Sequence, residues 1–371
     1  MFNIIFTLDY EIHGNGDGSP YDLMVEPTSR IINLFNKYGA KLTIMADVAE
    51  ILKFKEYKDL YIEDKYNYTA IIKQLKDAIA NNHDVQLHIH SGYFNSEFLK
   101  NGIKQNWDEY DLANLTLPII HERISLCKRF LEEQLKPVDL KYDCIAFRAA
   151  NWSMVPTRNI YTALAENNIE IDTSVFKYGK RNGRVVFDYS YVPDKLIPWF
   201  FDENDINKIN VGNKILEIPI YCELRNVFSF ITVIRAFRMI RSRFHLHEKQ
   251  RKDNLIEANK KSNSSLIKLL NKVVNLSIQF TIKHAWKLDF NQASSRQIIN
   301  ALKRIDREYG HIKQDLPIVL IGHSKSFIKF NEFTIEPLLK YIKENPEKYK
   351  FSIFKDIKTE AFRYQNYSKP S

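Results

Sequence analysis

Cysteine is scarce in these 371 residues. Only Cys127, Cys144 and Cys222 are present. Their odd number and wide spacing exclude a disulfide framework or a Cys-x-x-Cys site and suit a reducing compartment. No apolar stretch is long and charge-free enough to span a bilayer. No secretory leader is visible, because the first apolar run already carries Asp9. The cytoplasm is therefore the expected location. There is no internal repeat, no low-complexity segment and no Gly-x-Ser-x-Gly nucleophile elbow. The glycines at 14, 16 and 18 lack the Gly-Lys-Ser ending of a phosphate loop. No nucleic-acid recognition module is visible, so nucleic acid is not an expected partner.

What is present is the composition of a globular protein, 44% apolar and 27% charged. The length allows one large α/β barrel or two domains. Apolar runs of strand length alternate with amphipathic stretches of helical period. Helices are expected from Pro27 to Gly39, through 46–82, over Leu117–Leu135, over Arg158–Asn167, after Ser294 or Ser295, and over Glu332–Asn345. Strands are expected at the N-terminus and near 40–45, 84–89, 143–148, 169–175, 215–220, 285–290, 317–323 and 351–353.

Several of these strands end in polar groups. The first, Ile4-Ile5-Phe6-Thr7-Leu8-Asp9-Tyr10-Glu11, carries two acids two residues apart, so both carboxylates face one side in extended backbone. The strand Val85-Gln86-Leu87-His88-Ile89-His90 carries two histidines with the same spacing. In a parallel sheet the two pairs converge at the C-terminal strand ends, where ligands gather in α/β folds. Three such ligands and an open position are the usual layout of a catalytic zinc. The alternative is ordinary strand-end histidines beside solvated acids. Arg148, Asp289 and His323 end three further strands. A buried arginine is expected to hold a carboxylate, either at a site or in a structural ion pair.

One segment breaks the alternation. Phe228, Ile231, Ile234, Phe237, Ile240 and Phe244 recur at helical spacing, with Arg235, Arg238, Arg241 and Arg243 beside them. Residues 235–261 hold nine Lys or Arg against three acids, which is +6 of the formal +9. A basic amphipathic helix over 228–246 suits an anionic membrane surface. It equally suits an insertion, 225–280, packed on the barrel with a solvated basic face.

With these motifs in place, the chain resembles the polysaccharide deacetylases, carbohydrate esterases that include the nodulation-factor deacetylases. It most resembles a cytoplasmic branch found with O-antigen and capsule biosynthesis. The family's Thr-Phe-Asp-Asp-Gly reads here Thr7-Leu8-Asp9-Tyr10-Glu11. The resemblance implies Asp9 as catalytic base and Glu11 as a metal ligand. The family's second motif has histidines four apart; here His88 matches the first, Gly92 stands at the second, and His90 serves instead. Arg148 would hold the base, Asp289 would tune the arginine or histidine, and His323 of Ile321-Gly322-His323 would be the catalytic acid. A backbone N–H near Tyr10 or Ala149 would face the oxyanion.

The resemblance implies an α/β fold, a distorted (β/α) barrel of about seven parallel strands forming one domain over 1–371. It implies a divalent metal, zinc above others, and removal of an N-acetyl or similar acyl group from a nucleotide- or lipid-linked amino sugar of a surface glycan. A location at the inner membrane face follows if 228–246 touches lipid. A deformylase or esterase would use the same residues. The competing classes are a glycoside hydrolase, with Asp9 and Glu11 flanking a bond, and a non-catalytic carbohydrate-binding homologue.

Overall fold

Every residue of Phe2–Tyr10 (β1) is buried, because this strand is paired along both edges and covered on both faces. The computed structural model describes residues 1–12, 18–100, 102–230 and 283–364. After β1 come α1 (Glu26–Tyr38), β2 (Leu42–Asp47), α2 (Val48–Tyr61), α3 (Tyr68–Ala80) and β3 (Asp84–Ile89). A small hairpin, β4 (Glu97–Leu99) and β5 (Gly102–Lys104), precedes α4 (Leu117–Leu135), β6 (Ala146–Ala149), α5 (Thr157–Glu166) and β7 (Ile171–Asp172). A second hairpin, β8 (Lys180–Arg181) and β9 (Phe187–Asp188), leads to β10 (Trp199–Phe200), β11 (Leu216–Glu217) and β12 (Cys222–Asn226). The rest is β13 (Lys283–Lys287), α6 (Ser295–Tyr309), β14 (Leu316–His323), α7 (Lys329–Lys343) and β15 (Tyr349–Phe351).

The main sheet runs β10-β11-β7-β6-β3-β2-β1-β14, with β15 on the free half of β1. Its pairings are parallel except that of β10 with β11. Past β11 the chain meets β14 through a parallel bridge between Ile220 and Val319. That bridge brings the far ends of the curled, mostly parallel sheet together, in keeping with the distorted barrel of about seven parallel strands that the resemblance implied.

Local chemistry sets the helix ends. Gly39 closes α1 at a φ of 68°, and its N–H reaches the Asn36 and Phe35 carbonyls. Ser294 caps α6 in a reciprocal box with Gln297. The helical stretch 46–82 forms two helices, since Ile62 and Asn67 take positive φ of 54° and 56° and turn the chain between α2 and α3. Strands β7 and β11 are two residues each, shorter than their apolar runs. Tyr189, Trp199 and Phe200 are fully buried, and Tyr191 is exposed.

The expected basic insertion falls mainly on residues 231–282, which lie outside the described part of the chain. Its two flanks pair as an antiparallel ribbon, Cys222 opposite Lys287 through Asn226 opposite Lys283. Residues 283–287 are therefore a ribbon strand, and Asp289 joins the barrel only through a bridge to Ile321. Among the described residues, no helix is long and apolar enough to cross a membrane.

Candidate metal centre and active site

The parallel register brings the polar strand ends together. Asp9 lies opposite His323 on one side and Met45 on the other, Asp47 opposite His88, and His88 opposite Arg148. Asp9, Glu11, Asp47, His88, His90 and Arg148 are all buried.

Glu11, His88 and His90 present ligand atoms within 4.8 Å of one another. Glu11 Oε2 lies 3.4 Å from His88 Nε2 and 3.0 Å from His90 Nδ1. That oxygen is buried and has no hydrogen-bond partner. An orphaned carboxylate oxygen between two imidazoles is a poor arrangement for a protein alone and a good one for a cation. The donor set, one oxygen and two nitrogens, suits zinc and related divalent metals. His88 Nδ1 meets the Arg148 carbonyl at 2.8 Å. The proton therefore belongs on Nδ1, and Nε2 is the nitrogen offered to a metal.

Electrostatics point the same way. Burial alone would lower His88; its contact with Glu11 and the fields of Asp9, Glu11 and Asp47 reverse this and raise it to about 9. Burial alone would raise Glu11, but His90, Lys325 and His88 hold it well below the ordinary carboxylate range. The cluster carries excess negative charge, and positive charge placed there is favoured.

Asp9 stands beside this cluster. Its Oδ1 accepts from Arg148 Nη1 at 2.6 Å, and its Oδ2 lies 3.4 Å from His323 Nε2. Burial would push Asp9 up; the Arg148 guanidinium, with His323 and His88, outweighs it and leaves the carboxyl below its usual value. Arg148 Nε donates to the Thr173 carbonyl at 3.0 Å, which fixes the plane of the fork.

Asp289 is not where the resemblance put it. Its carboxylate accepts from the N–H groups of Asn291 and Gln292, at 2.9 and 3.1 Å, and from the Gln292 side chain. These bonds close its own turn, and no hydrogen bond or ion pair joins its carboxylate to Arg148 or His323. Asn291 acts on His323 instead. Its Oδ1 accepts the His323 N–H at 2.9 Å, and its amide donates to the His323 carbonyl at 3.2 Å. A Cβ on Gly322 would sit 2.3 Å from Asn291 Oδ1, so only glycine fits before the histidine. The Ala149 N–H, considered for the oxyanion, donates to Ser174 Oγ at 2.8 Å and is already used.

Two groups at the site escaped the sequence reading. Asp47 accepts the His90 N–H on Oδ1 at 3.0 Å and meets His90 Nδ1 with Oδ2 at 2.9 Å. Lys325 donates to Glu11 Oε1 at 2.7 Å and to the Ile12 carbonyl at 3.1 Å. Each had a signal: Asp47 ends the apolar run of β2 as Asp9 ends that of β1, and Lys325 follows the terminal histidine of β14. Beneath them Glu50 accepts from the Ile12 N–H and the Tyr93 hydroxyl, anchoring the chain just past Glu11.

The aromatic stretch 92–117 packs near the end of β6. Trp107 packs on Tyr110, whose hydroxyl donates to Asn151 Oδ1 at 2.8 Å, three residues past Arg148.

No protein-family model and no curated protein matches the chain. Solved structures do. The chain is similar to the 4-alpha-glucanotransferase of Thermococcus litoralis, at 13% identity and a TM-score of 0.51, over 96% of this chain and 40% of that one. It is similar to Puue allantoinase at 12% identity and a TM-score of 0.49, over 97% and 89% of the two chains. A probable polysaccharide deacetylase from Pseudomonas aeruginosa PAO1 aligns at 13% identity and 0.48, over 97% and 90%. At 13% identity the likeness to the glucanotransferase shows a shared fold alone, the curled and mostly parallel barrel-type sheet.

Proposed function

We propose that the chain is a metal-dependent hydrolase of the polysaccharide-deacetylase type, removing an N-acetyl or related acyl group from an amino sugar of a surface-glycan precursor. The observation that carries this reading is the buried convergence of Glu11, His88 and His90, whose ligand atoms lie within 4.8 Å of one another, with the Asp9–Arg148 pair and His323 alongside. A divalent cation on Glu11, His88 and His90, zinc by its donor set, would polarise the acyl carbonyl and the attacking water.

The chain's own residues supply the proton transfers. Asp9, kept ionised by Arg148, takes the water proton on Oδ2. His323, 3.4 Å from that oxygen and partly open to solvent, hands a proton to the leaving amine. Trp152 and the Trp107–Tyr110 pair stand at the rim as apolar surfaces for a sugar ring. A glycosidase would need two carboxyls free to act on a bond; here Asp9 is committed to Arg148 and Glu11 to Lys325 and the imidazoles.

The basic composition of 228–246 supports a nucleotide-linked or lipid-linked precursor, met on the cytoplasmic side and at the inner membrane face in the lipid-linked case. The test is an assay for free amine and acetate with acetylated amino-sugar nucleotides. Release is expected, and is expected to disappear with chelator, in Asp9→Asn and in His88→Ala. Full activity in Asp9→Asn would remove Asp9 from its role.

A further inference from the structure

Lys287 is the last residue of β13, opposite Cys222, and the next residue, Leu288, bonds to Tyr221 and Ile321 where the barrel closes. The ammonium lies 3.4 Å from the ring centre of Trp152, just past β6, and 4.4 Å from that of Phe176, just past β7. Arg148 sits on β6, four residues before Trp152, and the lysine feels the charges of both Asp9 and Arg148.

Among the described residues the Lys287 ammonium makes no hydrogen bond and no ion pair. Other lysines around the mouth do: Lys325 holds Glu11, and Lys177 holds the Val192 and Pro193 carbonyls. Two aromatic faces attract a cation, yet they accept none of its three N–H groups in the way an oxygen would. A part-buried ammonium without an acceptor is costly to keep. The backbone is arranged to keep it. Asn151 and Trp152 both take positive φ, 56° and 59°, a strained conformation for two successive side-chain-bearing residues, and that turn sets the Trp152 ring against the lysine. Arg181 donates to Asn151 Oδ1 at 3.0 Å and adds a second cation to the same rim.

We propose that Lys287, held between Trp152 and Phe176, is a binding residue for a phosphate group of the substrate, placed at the barrel mouth beside the hydrolytic centre. This deepens the reading above and rests on it for the substrate class: an acylated amino sugar bearing a phosphate or diphosphate. The phosphate oxygens accept the three N–H groups that the rings leave open, and the ring faces flank the sugar.

The test is calorimetric titration of the full chain with inorganic phosphate and with inorganic pyrophosphate, in chelator, so that no metal can supply the anion site. Saturable binding is expected in the wild type, at least tenfold weaker in Lys287→Met and largely kept in Lys287→Arg. Equal binding by wild type and Lys287→Met, or no wild-type binding at tens of millimolar, overturns the proposal. Phosphate binding through Lys287 without amine release from any acylated sugar would sink the hydrolase reading and spare the subsite. Amine release without phosphate binding would do the reverse.

Discussion

Asp47 holds His90 at two points, accepting its backbone N–H on Oδ1 at 3.0 Å and facing its Nδ1 with Oδ2 at 2.9 Å. The pair joins the end of β2 to the end of β3 and aligns one imidazole with Glu11. Asp47 meets the same ring nitrogen that faces Glu11; it holds the imidazole in place and adds negative charge to the site, and both effects favour a bound cation. Asp47→Asn should therefore weaken zinc binding by about 10–100-fold while the fold survives. Competition against a chromophoric chelator measures this; unchanged affinity would leave Asp47 a purely structural acid.

Asp9→Asn tests the ion pair as well as the base. Amine release should fall by about 100- to 10,000-fold, the range for a positioned general base. Orphaning a buried charge usually costs about 3–5 kcal/mol. Here Arg148 has a second source of negative charge. Asp172 and Glu217 face each other across β7 and β11; burial pushes both upward, and the Arg148 charge pulls both back. Release of a proton from that pair can offset the lost Asp9. The loss in urea unfolding at pH 7 should thus stay at roughly 1–3 kcal/mol, below the usual range. A variant unfolded at room temperature would show that the pair does not compensate.

Asp84 gives a pH-dependent stability. Its Oδ1 accepts from the Val85 N–H and the Gln86 amide, while Oδ2 is buried without a partner. Burial raises it to about 7, against the pull of those two bonds and of Lys355, with Asp356 adding to the rise. The folded value exceeds the unfolded one, so the folded state holds the extra proton between about pH 4 and 7 and loses relative stability as pH rises through that window. Asp84→Asn keeps the acceptor and removes the titration. It should match the wild type near pH 3.5 and exceed it by on the order of 1–3 kcal/mol at pH 7.5. Thermal unfolding at the two pH values decides; an equal offset at both would mean Asp84 is not the titrating group.

The sequence carried the barrel because its signal is local and repeated: a buried run, a polar end, an amphipathic helix. Leu117–Leu135 is a helix with the bounds read from its pattern, since Pro137 follows it and its apolar stripe is clear. Asp9, Glu11, His88 and His90 were legible for the same reason, as two-residue spacing fixes a shared face in a strand. What could not be read was how each polar atom spends its bonds. Asp289 follows an apolar run like the others, yet the N–H groups two and three residues on capture its carboxylate in a tight turn, a local competition that long-range patterning does not show. Lys325 reaches Glu11 across 314 positions, and only the β1–β14 register makes them neighbours. Lys287 read as an ordinary strand residue because nothing in its surroundings in sequence announces Trp152 or Phe176.

Lys287 also separates a functional from a structural role by stability alone. Burial lowers it to about 8, against the attraction of Asp289, Cys222 and Asp9 and with the repulsion of Arg148. Its folded value lies below the unfolded one, so below pH 8 the folded state carries a charge it would be better without. Between about pH 8 and 10.5 the unfolded state binds the extra proton, and wild-type stability should rise with pH across that window. Lys287→Met removes the burden. It should raise stability at pH 7 by roughly 1–3 kcal/mol, with the gain fading as pH climbs from 8 to 10. A lysine kept for its ring contacts would behave in the opposite way, and its removal would destabilise the protein at every pH. Denaturant unfolding of both proteins at pH 7 and pH 10 separates the two. A stabilised variant that has also lost phosphate binding is the signature of a residue that trades stability for recognition.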